Sequence, residues 1–472
     1  MEAVHDTEEF LRTGREAVNW IAEFLADPGR RRISPAVRPG ELVDSLPASG
    51  PEQGEALDQL LTDFDSQIMP FVGNWNHPRF FNYFACTGST PGILGEMLCA
   101  AINTNGLNWV ASPAVSELEH VALAWLRQWS GLADDYFGEI FDTASVSNMH
   151  ALAAAREMAD PDSRQRGPTK RLRVYCSDQA HSSVDKAVIT VGLGLDNLLK
   201  VPSDSDFRMD PVALRRLIEA DIADGYTPCC IVATLGTTST TSVDPISAIT
   251  ALGEEFGIWV HIDAAYGGAA MLLPEFRHLL AGQERAHSYV VNPHKWLLTQ
   301  MDCSAFYTRY PEILRRAFSL TPEYLQTSQD PRAVSLMDYG LPLGRRFRAL
   351  KLWFIFRYFG REGLANEIRR HIELAQSFRR LIEADPCFEV AAPTPFSTVC
   401  FRYRNSEQKN RQIVSEINQS GEFFISQTIL RGQFTVRVAI GNMATTQADL
   451  DHLWAQIRLI ASAAPQQPPY SG

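Results

Sequence analysis

The sequence predicts an α/β protein: a large, mostly parallel sheet flanked by helices, with a smaller α+β unit after it and a helical arm before it. Two observations carry this. Between about residues 90 and 310, short apolar runs at 172–176, 229–235, 258–262, 289–291 and 303–307 alternate with helical segments. That alternation is the pattern of parallel strands joined by crossover helices. After about residue 346 the chain changes to one long helical run, strand-like segments at 398–402 and 435–440, and a closing helix at 447–462. The expected division is therefore an arm at 1–85, a large α/β domain at 86–345 and a small α+β domain at 346–472.

The arm opens with an amphipathic helix at 8–26, in which Phe10, Val18, Ile21 and Leu25 fall near one face. Pro- and Gly-punctuated stretches at 34–40 and 47–54 follow, then a second helical pattern at 56–68. Such an arm has no core of its own and must dock elsewhere, and a partner subunit is the expected place. In the small domain the helical run passes Trp353 and Phe356 and is expected to end near Gly360; the tail at 465–472 reads as disordered.

Composition narrows the class. At 472 residues the chain can bury a large core, and 45% hydrophobic with 21% charged residues suits a soluble globular protein. A net charge of −12 argues against nucleic acid as the main partner. Arg30-Arg31-Arg32, the densest basic run, reads as a solvated turn. The eight cysteines form no Cys-x-x-Cys pair, which fits reduced thiols and leaves no metal site expected. No apolar run approaches membrane-spanning length, and the first residues lack a basic segment leading into an apolar one. A cytoplasmic protein without a membrane partner is the expectation.

Chemistry gathers just beyond the strands, where ligand-binding residues collect in parallel sheets. Asp263 follows the strand at 258–262 within His261-Ile-Asp-Ala-Ala-Tyr266, and Lys295 lies in Asn292-Pro-His-Lys-Trp296 after the strand at 289–291. A pyridoxal phosphate (PLP) enzyme requires such a pair. The lysine amine forms a Schiff base with the cofactor aldehyde, and the aspartate keeps the pyridinium nitrogen protonated so that the ring accepts electrons. Ala265 shares a face with Asp263 if the strand continues, placing a methyl against the flat ring. The phosphate needs a helix amino terminus with small hydroxyl residues, and Thr143-Ala144-Ser145 opens a helical segment at 146–158.

These residues sit in four longer stretches: Ser177-Asp-Gln-Ala-His-Ser-Ser183; Val232-Ala-Thr-Leu-Gly-Thr-Thr238; Asn292-Pro-His-Lys-Trp-Leu-Leu298 with Asp302-Cys-Ser-Ala305; and Pro342-Leu-Gly-Arg-Arg-Phe-Arg348. Together they resemble the group II PLP-dependent decarboxylases, most of all the aromatic-L-amino-acid decarboxylases, over nearly the whole chain. The resemblance implies PLP fold type I and a homodimer with its active site at the subunit interface. It casts His181 as the residue stacked over the pyridine ring and orienting the substrate carboxylate, with Thr238 close to it and Asn292 and His294 completing the cofactor site. Tyr324, in a polar stretch at 320–330, matches the residue of a mobile catalytic loop that reprotonates the α-carbon; the aldehyde-synthase branch resembles Phe there.

For the substrate, Trp75, Tyr83, Phe84, Leu107 and Trp109 match an aromatic-lined pocket, part of it built across the dimer, and Gly344 matches the glycine of branches that admit an indole. Four departures stand out. Asp142 replaces a glycine before the phosphate helix, Val146 and Ser147 replace Glu-Ala, Ala85-Cys86 replaces Pro-Thr, and Asn105 with Leu107 replaces two larger apolar residues. The implied reaction is decarboxylation of an aromatic L-amino acid to its arylalkylamine, with a tryptophan-like substrate favoured. Phenylalanine, tyrosine, DOPA and 5-hydroxytryptophan remain open, as do an arylacetaldehyde synthase and a decarboxylase of an acidic amino acid such as glutamate or sulfinoalanine.

Overall fold

In the computed structural model, which describes residues 7–320 and 333–463, the five anticipated apolar runs are strands of one seven-stranded sheet. Its members are β1 (Phe137–Phe141), β2 (Leu172–Ser177), β3 (Leu198–Val201), β4 (Thr227–Thr234), β5 (Trp259–Asp263), β6 (Ser288–Val291) and β7 (Ser304–Thr308), in the order β1-β7-β6-β5-β4-β2-β3. Strands β3, β2, β4, β5 and β6 run parallel, whereas β7 is antiparallel to both β6 and β1. β1 therefore points the same way as the central strands. Six carboxyl ends face one edge of the sheet, and that is where the site residues lie. The central strands are buried on both faces by helices, which is why they read as nearly continuous apolar runs.

The smaller sheet, β10-β11-β9-β8, is antiparallel throughout and comprises β8 (Phe388–Val390), β9 (Thr398–Tyr403), β10 (Ser426–Leu430) and β11 (Gln433–Ala439). The helix Arg348–Glu383 links the two units. Gly360 breaks its backbone at φ 63°, as the sequence anticipates, yet the chain resumes as helix at once. Leu352, Ile355 and Phe356 before the break pack into the large core, and Ala375, Phe378 and Ile382 after it pack under the small sheet.

The arm departs from its expectation in part. The helix Thr7–Ala26 buries only Thr13, but Trp20 packs on Phe24 and Phe64 of the same chain. Further on, Phe81 is fully buried in the small-domain core, donating its N–H to Phe424 and accepting from Ala439. The approach to the large domain thus docks on this chain's own carboxy-terminal unit. The anticipated tail and the stretch holding Tyr324 lie outside the described residues.

An ion-pair cluster closes the large domain beside β1. Arg345 is buried and reaches Glu119 at 2.6 Å and also Glu139, which is fully buried on β1. Burial, only partly offset by Arg345, pushes the Glu139 carboxyl up to about 8. Removing the cation would strand two buried acids, so Arg345→Met is expected to destabilise the fold by about 3–5 kcal/mol, read from chemical denaturation; a loss inside experimental error would show the cluster to be dispensable.

Acid sensitivity follows from four buried imidazoles. Burial holds His150, His261, His287 and His294 down at about 4, against the usual 6.5. Between those values the unfolded chain binds more protons than the folded one, so stability is present above 6.5 and is lost as pH falls toward 4. The thermal midpoint should fall steadily across this window, and a flat profile would contradict the burial argument.

Candidate active site

Five strand ends converge on one cavity of about 190 Å³. Asp263 is the last residue of β5; Asn292, His294 and Lys295 follow β6; Thr238 follows β4; His181 follows β2; and Thr143, Ala144 and Ser145 follow β1. All nine line the cavity, together with Phe84 and Ala265. β5 stops at Asp263, so Ala265 reaches the wall through a turn rather than a continuing strand, and its N–H donates to Asp263 Oδ1 at 3.1 Å.

Lys295 is half-buried, and desolvation pulls its ammonium below the usual lysine range, opposed by Asp263 and Cys86 and reinforced by Arg437. Among the described residues it forms no ion pair within 4.0 Å. Its Nζ lies 5.3 Å from the centre of the Phe84 ring. Phe84 stacks on Tyr266 at 3.8 Å, Tyr266 stacks on Trp296 at 4.6 Å, and Trp296 donates to His371 Nδ1 at 3.0 Å. This aromatic column fixes the wall behind the lysine.

The two cavity histidines are prepared alike. His181 Nδ1 accepts the Ser183 N–H at 3.1 Å, and His294 Nδ1 accepts the Cys303 N–H at 3.0 Å. Burial, aided by Lys295, lowers both from the usual histidine value. With Nδ1 accepting a backbone N–H, each ring carries its proton on Nε2, which can donate to an anion.

The helix Ala144–Ala159 begins at the cavity, and its first-turn amides have no intrahelical acceptor. Thr143 is its N-cap, but both of its donors are engaged. Asp142 Oδ1 accepts the Thr143 N–H at 2.5 Å and its hydroxyl at 3.2 Å. Ala144 and Ser145 are left as the free amides.

Several residues were not anticipated. Arg437 on β11 lies 4.8 Å from the Phe84 ring centre and donates to Ser239 O at 3.1 Å and Tyr83 O at 2.7 Å, pinning the segment that carries Phe84. Tyr266 closes the aromatic column. Asn148 donates to Asp263 Oδ2 at 3.0 Å. The structure does not bring Trp75, Tyr83, Leu107, Trp109 or Gly344 to the cavity wall of the same chain. Trp75 and Tyr83 stack on each other at 5.5 Å on the surface, Trp109 donates to Glu117 at 2.8 Å, and a Cβ on Gly344 would meet the Asn105 amide at 3.6 Å.

Residues 39–404 match the pyridoxal-dependent decarboxylase conserved domain. The chain is 40% identical to aromatic-L-amino-acid decarboxylase from Cavia porcellus, over 96% of this chain and 98% of the relative. The chain belongs to the pyridoxal-dependent decarboxylases. This decarboxylase is also 37% identical to phenylacetaldehyde synthase from Petunia hybrida, over 96% of its length and 94% of the relative's. Among solved structures, Oryza sativa TDC with PLP and tryptamine superposes with a TM-score of 0.94 at 33% identity, covering 98% of this chain and 99% of that one.

PLP is the cofactor of the decarboxylase, and the cavity has the donor set for it. Lys295 is a desolvated amine, Asp263 a buried carboxylate with no ion pair among the described residues, and the helix supplies free amides. Two buried wall atoms, Thr234 Oγ1 and Asn292 Oδ1, have no hydrogen-bond partner within the protein. Asp142 is the discordant element, since it stands beside the amino terminus of the helix Ala144–Ala159 on the wall and occupies the Thr143 donors. Relieving it should tighten the cofactor: Asp142→Asn is expected to gain about 1 kcal/mol of PLP affinity, roughly a fivefold lower Kd, measured by titrating apoenzyme with PLP. Weaker binding would mean that Asp142 organises the site rather than opposing it.

Proposed function

We propose that the decarboxylase converts an aromatic L-amino acid, tryptophan-like by preference, to the corresponding arylalkylamine and carbon dioxide. The observation that carries the reading is Phe84 and Tyr266 on the wall with Lys295, backed by Trp296, in a wall whose described residues include no arginine and no lysine other than Lys295. An acidic side chain would find no cation on that wall. An aromatic ring finds flat apolar surface. Full-length similarity to the aromatic decarboxylase and to TDC supports the same substrate class.

Bound PLP supplies an aldehyde that condenses with amines and a ring that accepts the electron pair left when carbon dioxide departs. The protein's own groups do the rest. Desolvation disfavours the ammonium form of Lys295, which has no ion pair among the described residues, and the neutral amine is the form that would attack a carbonyl carbon. Asp263 holds a proton at the ring nitrogen. Nε2–H of His181 would be free to donate to the substrate carboxylate and so orient it, an alignment that would favour loss of carbon dioxide over loss of the α-proton. Ser145 and Ala144, with Thr238, Asn292 and His294, hold the phosphate and ring substituents. Tyr324 returns a proton to Cα.

The remaining substrate residues imply a second copy. Trp75, Tyr83, Leu107 and Gly344 lie off this chain's cavity, and we read them as contributions to the substrate pocket of a partner subunit. The exposed Leu94, Met97, Leu98 and Ile102 of the helix Thr90–Ile102 offer an apolar face for a homodimer. Free thiols at all eight cysteines fit a cytoplasmic location.

The test is a panel of tryptophan, 5-hydroxytryptophan, phenylalanine, tyrosine, DOPA and glutamate with PLP-loaded protein, scoring amine, carbon dioxide, ammonia and peroxide. Amine from an aromatic acid, tryptophan-type foremost, without peroxide is the expected result. Peroxide and ammonia in step with carbon dioxide would establish the aldehyde synthase instead, and turnover of glutamate alone would overturn the aromatic reading.

A further inference from the structure

Five buried polar side chains form a directional chain that ends on Asp263. Trp259, His261 and Asp263 alternate along β5 and so project to one face, the face covered by the helix Ala144–Ala159. Ser288 on β6 pairs in register with His261. Trp259 Nε1 lies 2.9 Å from Ser288 Oγ, Ser288 Oγ 2.8 Å from His261 Nδ1, His261 Nε2 2.9 Å from Asn148 Oδ1, and Asn148 Nδ2 3.0 Å from Asp263 Oδ2. Asn148 Nδ2 also donates to Ser183 Oγ at 2.9 Å, in the helix that follows His181. Asp263 is 6% exposed and the other four are 0% exposed.

Chemistry at both ends fixes the direction. An indole N–H can only donate, so Ser288 Oγ accepts from Trp259 and is free to pass its own proton to His261 Nδ1. The opposite end is a carboxylate, which can only accept, so Asn148 must present its amide nitrogen there and its oxygen to His261. The neutral Nε2–H form of His261 is the one tautomer that satisfies both neighbours. Without that N–H, the Asn148 amide is no longer held in one orientation. Turned over, it would set oxygen against the carboxylate.

We propose that Asn148, locked by the Trp259–Ser288–His261 relay, is the positioning residue that aims Asp263 at the cofactor's ring nitrogen and couples it to the His181 segment through Ser183. The inference rests on the proposed role of Asp263. Nothing in the motif-bearing stretches singles out Asn148, which lies in the helix, three residues past the Thr143-Ala144-Ser145 opening. Its side chain does not itself line the cavity and is shielded from solvent. It reaches the cavity only through two residues of the wall, Asp263 and Ser183.

Full-length, PLP-loaded Asn148→Ala, His261→Phe, His261→Gln and Asp263→Asn test this. Loss of a hydrogen bond to a charged group predicts that Asn148→Ala lowers kcat about tenfold or more, with KM little changed, a displaced visible absorption band and faster release of PLP. His261→Phe should displace the band in the same direction, and the double variant with Asn148→Ala should be no worse than Asn148→Ala, because both act on one element. His261→Gln, which keeps an N–H for Asn148 Oδ1, should recover most of the activity and the original band. A folded Asn148→Ala enzyme with unchanged band, PLP affinity and kcat would overturn the proposal. Should that variant fail to fold, the band and PLP affinity of His261→Phe decide the matter by the same criterion. If Asp263→Asn itself retains the band and kcat, the failure belongs to the assigned role of Asp263; if it loses both while Asn148→Ala does not, the failure belongs to the relay.

Discussion

A carboxylate buried at the end of the central strand is the constraint on which the rest of the site depends. An isolated ionised group in a protein interior is costly unless it is paired or fully hydrogen-bonded. Asp263 has no cation within 4.0 Å among the described residues and is held by the Asn148 amide and the Ala265 N–H instead. Each donor imposes geometry. The Ala265 contact needs the chain to turn immediately after β5, which sets that methyl into the cavity wall. The Asn148 contact needs the helix Ala144–Ala159 to cross the same face of β5. That helix then does two things at once, presenting its free first-turn amides at the cavity and, within its first turns, the amide that steadies the carboxylate.

Legibility in the sequence follows the range of the interaction involved. The central strands are apolar because both faces are covered, so they stand out as runs. β1 escapes notice because Phe-Gly-Glu-Ile-Phe carries a glycine and an acid, and Glu139 is acceptable there only because Arg345 arrives from far along the chain. β3, four residues with a lysine, is too short to register. Gly360 is a correct local stop signal, yet helix continues beyond it: Leu364, Ala365, Ile368 and Ile372 still pack in the large core before Ala375, Phe378 and Ile382 reach the small one.

The same rule sorts the site. Lys295, Asp263, His181 and the Thr143-Ala144-Ser145 turn are legible because each follows its strand closely, within a motif. Asn148, Tyr266 and Arg437 act through partners on distant elements, and neither periodicity nor composition marks them. The surface aromatics show the converse. Trp75 and Tyr83 are conspicuous as residue types, but type alone does not say which cavity a side chain serves, and in a single chain they stack on each other.

Charge on the cavity wall follows from how the histidines are held. A backbone N–H pointed at Nδ1 keeps both His181 and His294 neutral, so the charged side chains on the described wall reduce to Asp263 and Lys295. In the proposed reading, condensation of Lys295 with the cofactor aldehyde would engage that one cation. An anion bound there is then met chiefly by dipoles: two imidazole N–H groups, the helix amides and the side-chain amide of Asn292. Dipoles orient an anion without neutralising it, and a nearby negative charge is felt more strongly where no cation offsets it. Asp142 is therefore more than a local substitution. By drawing the Thr143 N–H and hydroxyl to itself, it both adds charge and removes two dipoles from that part of the wall, leaving the Ala144 and Ser145 amides as the free donors there.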